Sequence, residues 1–107
     1  MIYLVLTVHW IADFIFQTRS MANNKSTSMK WLSAHILAYT CFLLPFGLKF
    51  ALVNGLAHFI IDFFTSRFTS YFWKEKDVHK FFITIGLDQL LHTSILIASM
   101  KFLAWSL

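Results

Sequence analysis

One hydrophobic stretch of the chain, residues 58–69, reads HFIIDFFTSRFT and carries two ionisable side chains near its start. His58 and Asp62 are four residues apart, so in an α-helix they share a face and lie about 6 Å apart along its axis. An ionised aspartate at the centre of a lipid-spanning helix costs roughly 2.5–3.5 kcal/mol on insertion scales. The stretch therefore predicts a membrane helix whose polar face has a partner.

Similar pairs occur in two other hydrophobic segments. His9 and Asp13 repeat the four-residue spacing, Asp88 and His92 repeat it in reverse order, and His35 lies alone in a fourth segment. Left unpaired, the three aspartates would together cost on the order of 8–10 kcal/mol. Whatever compensates them is the best clue to function.

The composition supports a membrane protein. Of the 107 residues, 58% are hydrophobic and only 13% are charged, and the mean hydropathy is +0.65. The net charge of +4 comes from nine Lys and Arg that are scattered through connecting segments, which argues against a nucleic-acid partner. The single cysteine, Cys41, excludes a disulfide framework and a thiolate metal site.

Four segments approach the roughly 20 residues that a lipid-spanning helix needs. The expected fold is an all-α, polytopic membrane protein: a single domain over 1–107 formed by a four-transmembrane-helix bundle, with helices at about 1–18, 29–44, 49–72 and 78–106. The predicted connections between them are Arg19 to Lys30, Pro45-Phe46-Gly47 and Lys74 to Asp77.

The positive charges predict the orientation of these helices. Seven Lys and Arg lie at the first and third connectors, whereas only Lys49 and Lys101 lie on the opposite side. The positive-inside rule then places the two longer connectors in the cytoplasm and both termini outside, in a bacterial-type inner membrane.

This topology brings the polar residues together. The fourth helix runs opposite to the first and third, so its reversed Asp-x-x-x-His order matches their His-x-x-x-Asp order in depth. We expect one layer of aspartates toward the cytoplasm and one layer of histidines a turn deeper, with His35 reaching the aspartate layer. All four helices then contribute to one shared site.

Imidazole and carboxylate together suit a divalent transition metal such as Zn, Fe or Mn. The candidate metal ligands are His9, Asp13, His58, Asp62, Asp88 and His92. Because these exceed the needs of one four-coordinate ion, either two metals bind or some residues act as a general base, a role for which His35 and Asp13 are the candidates. Residues on the same faces that would support the ligands by hydrogen bonds are Gln17, Tyr39, Asn54 and Gln89.

Two other interpretations of the polar residues remain open. A network of interhelical hydrogen bonds would make them a structural polar core within a non-catalytic membrane module. A chain of His and Asp side chains would make them a proton or ion pathway, although the outer half of the predicted bundle looks apolar.

Several motifs together carry a resemblance that covers essentially the whole chain: HWIADFIFQT from His9, MANNKS, HILAYT from His35, HFIIDFFTSRFT from His58 and LDQLLH from Leu87. This combination resembles a small membrane family of bacteria and their phages, domain of unknown function 3307. The residues that match its pattern are His9, Asp13, Gln17, Asn24, His35, His58, Asp62, Arg67, Asp88, Gln89 and His92. The resemblance implies an inner-membrane protein.

The layout is also similar, more loosely, to membrane-bound metal-dependent hydrolases with intramembrane His and Asp. That similarity implies, as a hypothesis, hydrolysis of a lipid-linked phosphoester or amide in contact with the bilayer. Because a chain this short leaves little room for a substrate pocket, a homo-oligomer is a further expectation.

Overall fold

The computed structural model describes residues 2–15, 17 and 24–103, and within these ranges it is all-α, without strands. Its four α-helices are α1 (Ile2–Trp10), α2 (Met29–Leu43), α3 (Leu48–Lys74) and α4 (Val78–Leu103). The all-α prediction is confirmed. The predicted ends of the first and last helices, at 18 and 106, lie outside the described residues.

The first predicted helix changes form before it reaches its predicted end. After Trp10 the chain continues as a π-helical segment, Ile11–Ile15, in which the consecutive residues Ala12 and Asp13 are both buried. A π-helical turn is wider than an α-helical one and is often found at functional sites. Spacing alone predicted a regular α-helix here and gave no sign of this distortion.

The connection between α2 and α3 is tight, as the Pro-Phe-Gly sequence predicts. Leu44–Phe46 form a 3-10 turn with Pro45 in its first positions, and Gly47 follows with φ of 132°. That φ value favours glycine, which has no side chain to clash. At the start of α4, the Asp77 carboxylate accepts a hydrogen bond from the backbone N–H of Lys80 at 3.0 Å, which caps the helix.

One end of the bundle is apolar. The N-terminal parts of α1 and α3 and the C-terminal parts of α2 and α4 meet there in a hydrophobic core of Val5, Leu43, Phe46, Phe50, Ala51 and Leu96, which Ala12 and Tyr39 extend toward the middle. These ends meet because neighbouring helices in the chain run in opposite directions. The buried polar residues follow this core along the bundle.

The outer surface is apolar too. Along α3 a row of exposed side chains recurs every four residues, formed by Leu52, Leu56, Ile60, Phe64 and Phe68. α3 and α4 are both long and apolar enough to cross a membrane, and only 33% and 11% of their most apolar windows are buried inside the bundle. In the core helix of a soluble protein, most of such a window would be buried.

Within the described residues, the other two helical segments are shorter than a full span. Ile2–Ile15 and the 15 residues of α2 rise only about 20 Å each, against a hydrocarbon core of about 30 Å. The structure thus supports two helices of spanning length, while four spans remain a prediction.

Gly55 lies where α3 packs closely against Thr40 of α2. A Cβ at this position would collide with the Thr40 hydroxyl, which is held by its hydrogen bond to the Ile36 carbonyl at 2.8 Å. We predict that Gly55→Ala lowers the free energy of unfolding by about 1–3 kcal/mol, because the helices must separate to admit a methyl group.

Gly86→Ala is the matched control, since a Cβ on Gly86 meets no atom within 4 Å. It should leave the stability unchanged or raise it by up to about 1 kcal/mol through helix propensity. Chemical unfolding in mild detergent, followed by circular dichroism, measures both variants. Equal stabilities of the two would contradict this packing.

Candidate metal centre

Seven ionisable side chains are buried together in the middle of the bundle, each at most 9% exposed: His9, Asp13, His35, His58, Asp62, Asp88 and His92. They come from the α1–π segment and from each of the other three helices. The convergence that helix spacing predicted is therefore present. The structure further divides these residues into groups with different partners.

Four of them form a compact group of potential metal donors. Asp13, His35, His58 and Asp62 each offer one ligand atom, and these atoms all lie within 4.8 Å of one another. His35 Nε2 is 3.1 Å from an Asp13 oxygen and 3.3 Å from an Asp62 oxygen. His58 Nε2 is 3.3 Å and 3.7 Å from the same two carboxylates, and 2.9 Å from His35 Nε2.

A second group shares one member with the first. Asp13, Asp88 and His92 also offer three ligand atoms within 4.8 Å of one another. His92 Nε2 lies 3.2 Å from Asp88 Oδ1 and 3.2 Å from Asp62 Oδ1, so it contacts a carboxylate of each group. His58 Nδ1 lies 2.8 Å from His92 Nδ1. The two groups therefore form one continuous cluster in which Asp13 is common to both.

His9, which the sequence predicted to be a ligand, lies outside both groups. Its Nε2 is 2.9 Å from the Gln89 side-chain carbonyl and 3.9 Å from Asp13. Its Nδ1 is 2.6 Å from the Tyr39 hydroxyl. Since a carbonyl oxygen only accepts, Nε2 donates to Gln89 and Nδ1 is left to accept from Tyr39. These two bonds make His9 a neighbour of the donor group.

Gln89 joins the first helical segment to α4. Its amide nitrogen donates to Asp13 Oδ2 at 2.8 Å and to Asp88 Oδ2 at 3.1 Å, while its carbonyl accepts from His9. Gln89 and Tyr39 thus make direct hydrogen bonds to members of the cluster, as supporting roles would require. Through Gln89, two buried carboxylates and a histidine are held in fixed relative positions.

The other two predicted supporting residues are placed differently. Asn54 donates to the Phe50 carbonyl at 2.9 Å and to the Ser99 hydroxyl at 2.8 Å, so it links α3 to α4. Gln17 lines a cavity beside the cluster, and its carbonyl oxygen has no hydrogen-bond partner among the described residues. Neither residue is seen to orient a member of the donor groups.

Two residues that the sequence analysis missed contact the carboxylates. Lys25 Nζ lies 3.0 Å from Asp62 Oδ2, and its side chain is only 18% exposed. The Thr65 hydroxyl lies 2.5 Å from Asp88 Oδ1. Thr65 follows His58 by seven residues, so its place on the same helix face could have been found from spacing. Lys25 gave no such signal, because it lies in a connector.

Arg67, which matches the family pattern, points away from this cluster. Its guanidinium lies 3.7 Å from the centre of the Phe63 ring and donates to the Phe63 carbonyl. These contacts of Arg67 are therefore with its own helix.

A cavity of about 650 Å³ leads to the cluster from the end of the bundle opposite the apolar core. All three aspartates line it, together with hydroxyl-bearing residues of α3 and the aromatic residues Phe14, Trp73, Phe81 and Phe82. Two lysines, Lys25 and Lys74, also line it. This volume is in the usual range for small-molecule sites.

We predict that Gln89→Leu lowers the free energy of unfolding by about 1–3 kcal/mol, because Asp13, Asp88 and His9 each lose a hydrogen bond in a buried setting. Gln17→Leu is the control: Gln17 lines the same cavity and its carbonyl has no partner among the described residues, so the change should alter the stability by less than about 0.5 kcal/mol. Unfolding curves in detergent compare them. Similar losses in both variants would mean that Gln89 does not organise the cluster.

Comparison with known proteins gives a family for the chain. No curated protein and no solved structure matches it. The model of one protein family, described as "Protein of unknown function (DUF3307)", matches residues 1–107, which is the whole chain. The chain therefore belongs to the DUF3307 family.

Proposed function

We propose that the group formed by Asp13, His35, His58 and Asp62 binds a divalent transition metal. The five separations that involve a histidine nitrogen range from 2.9 to 3.7 Å, and all four donor atoms lie within 4.8 Å of one another. A tetrahedral ion with bonds of about 2.0–2.1 Å requires its ligands to be about 3.3–3.4 Å apart. This agreement is the observation that carries the proposal.

The charges of the cluster support the same conclusion. The three buried aspartates bring three negative charges when ionised, and Lys25 supplies one positive charge at Asp62. A divalent cation supplies the two positive charges that are still needed, with the histidines of the cluster neutral, so that His35 and His58 can act as its ligands. Zn, Fe and Mn all suit two imidazoles with two carboxylates, and the tetrahedral spacing favours Zn²⁺.

We further propose that this centre makes the protein a metal-dependent hydrolase of a lipid-linked phosphoester or amide. Hydrolysis would need a fifth coordination position beside the four protein ligands. A bound metal would lower the pKa of a water held there and so supply a nucleophile at neutral pH. The sequence suggested His35 and Asp13 as catalytic residues, but both lie in the donor group. The geometry favours Asp88 as the proton acceptor, since it lies beside that group, lines the cavity and contacts His92.

The membrane arrangement belongs to the same proposal. Four helices cross a bacterial-type inner membrane with both termini outside, and the local bilayer thins around the shorter α1 and α2. The cavity then opens toward the cytoplasm, on the side that carries Lys25 and Lys74. A substrate held in the inner leaflet would reach the carboxylates without leaving the lipid.

A structural polar core is the second candidate function, and one observation favours it. Protein groups already contact each of the three carboxylates, including Lys25, Gln89 and Thr65. A proton or ion pathway has less support, because the apolar core around Leu43, Phe50 and Leu96 closes the other end of the bundle.

Metal content distinguishes the first two candidates. Protein purified without added metal should carry about one equivalent of a transition metal, or up to about two if Asp13 bridges a second ion to Asp88 and His92. Asp62→Asn should abolish binding, and a chelator should lower the melting temperature of the wild type. Asp77→Asn, which alters an aspartate outside the cluster, should bind as the wild type does. Less than about 0.1 equivalent of every transition metal would refute the centre.

Hydrolysis can be tested separately from metal binding. In liposomes, metal-loaded protein should cleave a member of a panel of lipid-linked phosphoesters and amides. Asp88→Asn should lower the turnover about 10²–10⁴-fold while the first metal stays bound, because it removes a proton acceptor. Asp77→Asn should keep full activity. Wild-type turnover by Asp88→Asn would exclude this role, and no turnover by loaded wild-type protein would leave a metal centre without hydrolysis.

A further inference from the structure

The cavity contains polar groups that the bundle itself does not use. Ser66, on α3, is 5% exposed and lines the cavity, and its hydroxyl has no hydrogen-bond partner among the residues that the structure describes. Gln17 also lines the cavity, and its Oε1 atom likewise has no hydrogen-bond partner among the described residues. A buried hydroxyl without a partner destabilises the fold. Both groups are therefore available to a ligand inside the cavity.

The charges that line the cavity suggest what kind of ligand this is. They are the three aspartates, Lys25 and Lys74, with a net charge of minus one. A divalent metal on the donor group changes this to plus one. A neutral amide would leave that charge unmatched, whereas a headgroup with one negative charge would match it.

The walls of the cavity suggest that the ligand also carries an apolar chain. Phe14, Phe82 and Ile85 line it on the side of the first helical segment and α4, and Phe14 and Phe82 are 47% and 61% exposed on the outer surface. An aromatic wall that is continuous with an apolar surface lets a hydrocarbon chain lie partly in the cavity and partly in lipid. Trp73 and Lys74 also line the cavity, and both are residue types that are common at a membrane interface.

From these three observations we propose that the cavity binds an amphiphile with a singly charged phosphodiester headgroup, a class narrower than the phosphoester or amide considered above. The inference rests on the proposed metal centre, because without the metal the cavity is negative. Lys25 and the Ser66 hydroxyl donate to the non-bridging oxygens of the phosphoryl group, and the chain lies along Phe14, Phe82 and Ile85. Dimethyl phosphate would accept from Lys25 and the Ser66 hydroxyl but would leave the apolar wall without a ligand chain.

Binding of three matched probes to metal-loaded protein in neutral detergent tests this assignment. They are dodecyl methyl phosphate, the neutral N-methyldodecanamide, and dimethyl phosphate, which lacks the chain. Calorimetry should show dodecyl methyl phosphate binding at least about tenfold more tightly than either of the others, which corresponds to about 1.4 kcal/mol. Equal binding of phosphate and amide would overturn the headgroup assignment, and equal binding of dimethyl phosphate would overturn the lipid assignment.

Two substitutions locate the headgroup. Ser66→Ala and Lys25→Gln should each weaken binding of dodecyl methyl phosphate about tenfold or more, because each removes a bond to a charged group. Ser66→Ala leaves every contact of the carboxylates in place, so it stays informative if Lys25→Gln perturbs Asp62. Lys49→Gln, at an exposed lysine outside the cavity, is the control. Wild-type affinity in Ser66→Ala and Lys25→Gln would contradict the inference.

The metal content of the same preparations separates the two proposals. Protein that carries no metal overturns the proposed function, and with it the charge match between the cavity and a phosphodiester. Protein that carries metal and does not prefer the phosphodiester overturns only the inference about the headgroup.

Discussion

Three aspartates buried in a bundle of 107 residues are the constraint on which the rest of the structure depends. A carboxylate removed from water must be paired with a cation or surrounded by hydrogen-bond donors, since its desolvation otherwise exceeds the gain from packing. Each helical segment supplies one of these carboxylates or a hydrogen-bonding partner for one. The π-helical turn buries Asp13, α2 brings His35 to it, α3 carries Asp62 with His58, and α4 brings Gln89 to Asp13 and Asp88.

This requirement also divides the bundle along its length. The end that contains Phe46 and Phe50 is closed by hydrophobic packing, the middle holds the His/Asp cluster, and the other end opens into the cavity. A closed apolar end argues against conduction through the bundle, whereas an open end that reaches buried carboxylates suits binding and chemistry. The exposed apolar row on α3 would place such chemistry next to lipid.

Much of the site could be predicted from the sequence because helical geometry is regular. The four-residue spacing of His58 and Asp62, and of Asp88 and His92, gave the shared faces, and the alternating directions of the helices gave the common depth. That His35 and not His9 lies in a donor group could not be predicted, because it depends on rotations of side chains that turn His9 toward Tyr39 and Gln89. Spacing also cannot reveal a π-helical turn at Asp13, or that a connector returns Lys25 to Asp62.

The central claim is that Asp13, His35, His58 and Asp62 form one metal centre, and an anomalous-scattering map of crystals grown with Zn²⁺ tests it most directly. The account predicts a single strong peak about 2.0–2.2 Å from one atom of each of these four residues. It also predicts that Lys25 and Gln89 stay next to the carboxylates. A map without a peak in bonding distance of His35 and His58, in protein that retains the same hydrogen bonds, would contradict the claim and leave the cluster as a structural polar core.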